Sequence, residues 1–203
     1  LKVISKDDPL WVEGMKISAL HEFLEGRQHN AEQYWSALSE NSHPTAKMEG
    51  IAGLHLLKST LGERGSFLSY ISKNHQSLPD YWLIWLIENY LCMGNWQEAL
   101  ILSQDVSIRL QNDPVLCTRA LALEGLLHLF MGKPSHAYQV LSTIKSMLLA
   151  PFDISSTRSS IHISRLTLAL GKELPTYSFN WNDLPVHIDD LHTQWLMLTN
   201  RYR

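Results

Sequence analysis

Cysteine is scarce in this chain: Cys92 and Cys117 are the only two, and no CxxC spacing joins them. So few cysteines exclude a disulfide framework. Both sit in apolar helical stretches, where a free thiol behaves as a small hydrophobe, so two reduced core thiols and a cytoplasmic setting are expected. Charge of one sign is also missing. Lys and Arg total 17 against 20 Asp and Glu, interspersed to a net charge of -3, which leaves no basic stripe for nucleic acid to follow. Long apolar runs are absent too. The richest, "YWLIWLIENYLCM", falls short of the roughly 20 residues that span a bilayer. Glu88 and Asn89 interrupt it, so it reads as a buried helix whose polar turn meets water, and no membrane partner is expected. Alternating β-branched runs between hairpin turns are lacking, so no strand is needed. Leu1 opens no charged leader or signal-type apolar core, and a longer protein with a further domain is one reading of such a start.

What is present is helix, with regular punctuation. In "PLWVEGMKISALHEFLEG", Leu10, Met15, Ile17, Leu20, Phe23 and Leu24 recur at steps of three and four, which predicts one broad apolar face. Asp8 before Pro9 is an N-cap followed by a first-turn proline, and Gly26 is a C-terminal stop. Asn30 is the expected cap of the next helix. Pro44, Pro79, Pro114 and Pro151 stand at later boundaries. Glycines at 26, 62, 94, 132 and 171 lie 36, 32, 38 and 39 residues apart. That spacing predicts a helix–turn–helix unit repeated in tandem, since a lone hairpin cannot bury its apolar face.

Three of these units share a finer pattern. Leu83, Leu86, Tyr90, Gly94 and Ala99 recur in kind as Leu121, Gly125, Gly132, Ala137, Leu141 and Ile144, and as Met15, Ala19, Gly26, Ala31, Trp35 and Leu38. In this the sequence resembles the tetratricopeptide repeat family, whose turn glycine is followed five positions later by a small residue where two helices cross. The match departs at Ile87, His128 and Glu22, and at Phe67, which stands where alanine is expected. It covers about residues 9–150 in layout. The resemblance implies an all-α, right-handed stack of antiparallel helical hairpins, an α-solenoid spanning 1–171. Residues 172–203, with "LPTYSFNWNDLPV" and a helix holding Trp195, Leu196 and Leu198, are expected to cap it within the same domain or to serve as a dimerising segment.

Catalytic signatures do not emerge. His21 and Glu22 lack the second histidine of HExxH, and "GERG" lacks the lysine of a phosphate loop. "SSTRSS" is no nucleophile elbow. His187, Asp190 and His192 read as solvated side chains of an amphipathic helix rather than a metal set. His128, on an apolar helix, reads as a buried histidine bonded to backbone or a neighbouring helix. Trp82 and Trp85, three apart, read as core. No enzyme, metal or cofactor is expected. The family resemblance implies a protein-interaction module whose first helices line a concave surface. By repeat position Glu13, Lys16, Glu49, Tyr81, Trp85, Glu88, Arg119, Arg158 and Arg165 would face a bound protein or peptide. The alternative is a ligand-sensing or effector domain of a larger regulator, and a homodimer is compatible with either.

Overall fold

Proline opens four of the described helices, and a glycine turn closes four. The computed structural model describes residues 5, 6, 8–148, 166 and 170, and among these it contains eight α-helices and no strand. Helix α1 (Pro9–Leu24) begins where Asp8 Oδ1 accepts a hydrogen bond from the Leu10 N–H at 2.8 Å. Helices α3 (Pro44–Thr60), α7 (Pro114–Phe130) and α8 (Pro134–Leu148) also open on proline, whose missing N–H costs nothing in a first turn. Asp113 repeats the cap on α7, accepting from the Leu116 N–H at 3.0 Å. Helix α2 (Gln28–Ser39) differs from expectation, because it starts before Asn30 and has no side-chain cap. Asn30 instead donates from Nδ2 to Glu22 Oε2 at 2.8 Å.

The remaining helices are α4 (Arg64–Asn74), α5 (Tyr81–Cys92) and α6 (Trp96–Arg109). Each odd-numbered helix joins its successor through three residues, and the middle one is a left-handed glycine. Gly26, Gly62, Gly94 and Gly132 have φ of 75°, 101°, 79° and 71°, a region open to glycine at no steric cost. The residue after each glycine donates its N–H back to the carbonyl five positions earlier. Arg27 reaches Glu22 at 2.8 Å, Glu63 reaches Lys58 at 3.0 Å, Asn95 reaches Tyr90 at 2.9 Å and Lys133 reaches His128 at 2.8 Å. This is the Schellman closure, made four times on one template. Five residues past each glycine stands a side chain with 0% exposure: Ala31, Phe67, Ala99 and Ala137. Phe67 is therefore accommodated where the pattern anticipates alanine. Gly171 lies outside the described residues.

The chain divides into two compact units, one running to Pro79 and the other beginning at Asp80. In the first, α1 packs on α2, α2 on α3 and α3 on α4. Its core includes Phe23 and Trp35, rings 5.3 Å apart. Helices α2 and α3 approach closely because α3 carries two glycines there. A Cβ on Gly50 would lie 2.7 Å from the Trp35 carbonyl oxygen, and one on Gly53 would enter the Trp35 indole. In the second unit α5 packs on α6, α6 on α7 and α7 on α8, and α5 also touches α7. Leu166 and Leu170 join Leu126, Val140 and Ile144 in its core. A Cβ on Gly125 would come within 2.5 Å of Leu166 Cδ2.

Two expectations are corrected here. Leu10 and Ile17 are 77% and 66% exposed, whereas Ala19 and Phe23 are buried. At about 100° per residue Leu10 and Ile17 fall on one line of α1, and Leu10 lies about 180° from Ala19. Glu88 and Asn89 do not meet water: both are buried. Asn89 satisfies its amide by donating to the Trp85 carbonyl at 2.9 Å, and Glu88 finds an arginine. Trp82 and Trp85 are core, as expected, and both described cysteines are free thiols, Cys117 buried and Cys92 half-buried. The expected loop and capping helix at 172–203 lie outside the described residues.

Candidate partner-binding face

The seven described residues picked out by repeat position stand on the first helices of the hairpins, and in each unit one charged contact among them joins successive first helices. In the first unit Lys16 on α1 lies between two carboxylates. Its Nζ is 2.9 Å from Glu13 Oε1 on its own helix and 2.9 Å from Glu49 Oε1 on α3. The Glu49 side chain is 3% exposed, Lys16 17% and Glu13 60%, so the trio grades from core to solvent. Burial opposes a charge on Lys16, yet the hydrogen bonds to Glu13 and Glu49 outweigh it and its pKa is raised. A buried carboxylate costs several kcal/mol unless paired, on the order of what the lysine supplies.

In the second unit Glu88 on α5 and Arg119 on α7 form the corresponding pair, 31 residues apart where Lys16 and Glu49 are 33 apart. Arg119 Nε donates to Glu88 Oε1 at 3.0 Å, and its Nη2 closes a second contact on the same oxygen. The guanidinium carbon also lies 4.8 Å from the centre of the Trp85 ring, close enough for a cation–π contact. Trp85, Glu88 and Arg119 are all buried. These side chains thus hold α5 and α7 together. Tyr81, half-buried, stands against Trp82 with ring centres 5.4 Å apart. Arg158 and Arg165 lie outside the described residues.

A second polar cluster sits on α7. His128 is buried, its Nε2 3.6 Å from Glu124 Oε1 one turn earlier and its ring 5.1 Å from that of His136 on α8. Its Nδ1 has no hydrogen-bond partner, which differs from the expectation of a histidine satisfied by backbone or by a neighbouring helix. Gln104 on α6 donates to Glu124 at 3.3 Å. The sequence signal for this cluster was the Glu–His spacing of four on an otherwise apolar helix; the part played by His136 needs the turn between. Among the described residues no group of three His, Cys, Asp or Glu side chains is arranged to hold a metal ion, and no helix is long and apolar enough to cross a membrane.

Comparison with family models, with curated proteins and with solved structures returns no match to the chain. The repeated turn and the paired first helices are therefore the observations from which function is argued.

Proposed function

We propose that the chain is a helical-hairpin repeat module of the tetratricopeptide-like kind that works by binding a protein or peptide rather than by catalysis. One observation carries the reading. Four hairpins use the same three-residue turn and the same left-handed glycine, with a fully buried side chain five residues on. Repetition of that kind sets equivalent first helices beside each other within each unit, and such surfaces serve macromolecular partners more readily than they form an enclosed reaction site. Within each unit we infer right-handed stacking of the hairpins, with the first helices lining the partner side. The two free thiols suit a cytoplasmic setting.

On this reading the nine residues divide their work. Glu49, Trp85, Glu88 and Arg119, being buried, set the spacing of the first helices, together with the half-buried Lys16 that pairs with Glu49. Glu13 and Tyr81, exposed and half-buried, are the ones a partner touches, together with Arg158 and Arg165. Photo-crosslinking tests it. A photoreactive residue placed at Glu13 or at Tyr81 is expected to give adducts with one protein, while the same residue at Ile101 or Ile108, exposed on α6, gives none. Equal labelling from all four positions, or none from any, would overturn the assignment of the face. A shift in melting temperature with a small-molecule library but no protein adduct would favour the ligand-sensing alternative.

A further inference from the structure

The polar cluster between α7 and α8 is not used by partner binding, and its chemistry points elsewhere. His128 is 6% exposed, and its unpartnered Nδ1 offers no acceptor for a second proton. Two basic side chains stand near it. His136 on α8 stands with its ring 5.1 Å away, and Lys133 lies in the connecting turn. Among the described residues the carboxylate facing it is Glu124, on its own helix at 3.6 Å. Of the other elements packed against α7, α6 supplies the neutral Gln104, which bonds Glu124. Helix α5 supplies Glu88, already held by Arg119. Leu166 and Leu170 are apolar.

We propose that His128, Glu124 and His136 form an acid-sensitive latch that keeps α8 on α7 at neutral pH and releases it on acidification. At neutral pH the imidazole is an uncharged core group. Acidification asks a buried ring to take a charge beside a second imidazole and a lysine, and at the same time tends to neutralise the nearby Glu124 carboxylate. Burial, with His136 and Lys133 adding to it, holds the His128 pKa below its ordinary 6.5. A histidine so held contributes stability that is complete above its ordinary pKa and is lost as pH falls through its lower folded value. Burial raises the Glu124 pKa against the opposing Gln104 bond, so Glu124 returns part of that stability at lower pH.

Hydrogen exchange on the full chain, at about pH 7.5 and about pH 5.5 with intrinsic rates divided out, reads the latch directly. Amides of α8 are expected to lose roughly tenfold more protection than those of α2 and α3. His136→Gln, at an exposed position that does not threaten folding, is expected to reduce that excess to about threefold. His128→Gln is expected to abolish it, and if that variant is unfolded by circular dichroism the His136→Gln comparison decides alone. Equal loss in α8 and α3, no loss in either, or an unchanged excess in His136→Gln would overturn the latch.

Discussion

Arg119 shows how far in sequence the partners of one side chain can lie. It stands on α7, where it is bonded to Glu88 and packed against Trp85, both on α5. Removing one partner of a buried pair strands the other charge, so Arg119→Ala is expected to lower unfolding free energy by about 3–5 kcal/mol. The double change Glu88→Leu with Arg119→Met, which leaves no charge behind, is expected to recover most of that in a denaturant titration. Glu22 makes a contrasting case at the surface. Hydrogen bonds from Arg27 and Asn30 pull its pKa down to about 2. The stability it adds is therefore present above its ordinary 4.5 and is lost as pH falls through about 2. In Arg27→Gln an NMR titration of the Glu22 carboxyl is expected to move back up. Glu88 and Asn89 were misread from sequence for a physical reason. A polar pair in an apolar helix suggests water, and the arginine that satisfies Glu88 is 31 residues away.

At the scale of the element, the turns were the most legible feature of the chain. Glycine is the residue that adopts positive φ without strain, so Gly26, Gly62, Gly94 and Gly132 mark helix ends unaided. Helix faces were less legible, because apolar residues at steps of three and four can surround more than half a helix. That is how Leu10 and Ile17 came to be counted with Phe23. The small residues of α3 were missed, although two glycines three apart inside a helix are themselves a signal of close packing, here against Trp35. A glycine series separates these roles. Gly94→Ala, at φ 79°, is expected to destabilise by about 1 kcal/mol or more. Gly14→Ala, exposed within α1 and with nothing within 4 Å of its added Cβ, is expected to stabilise by about 0.5–1 kcal/mol. Gly53→Ala must displace the Trp35 indole and is expected to cost more than either. Thermal melts of the three variants give the order.

The chain divides into two units, and among the described residues each is held together by neighbouring helices and by a charged contact between its first helices. In a chain stabilised by nearest neighbours, damage stays local. Hydrogen exchange in Arg119→Ala is therefore expected to show protection lost across α5 to α7 before it is lost across α2 and α3. Uniform loss throughout would mean that the units unfold as one. Composition, helix order and the alternation of proline starts with glycine stops were readable without coordinates, because each depends on a residue and its immediate neighbours. The pairings Lys16–Glu49 and Glu88–Arg119 were not, because they depend on which helices come to lie side by side.

The uniform three-residue turn has a consequence for the chain's history and for its engineering. Since each hairpin carries both of its helices and the complete chemistry of its own bend, it is a cassette. One can be duplicated, deleted or exchanged at the proline-marked joints without asking a neighbour for a new turn. What limits such editing is the interhelical charge pairing: a cassette moved to a new place must bring, or meet, the opposite ion.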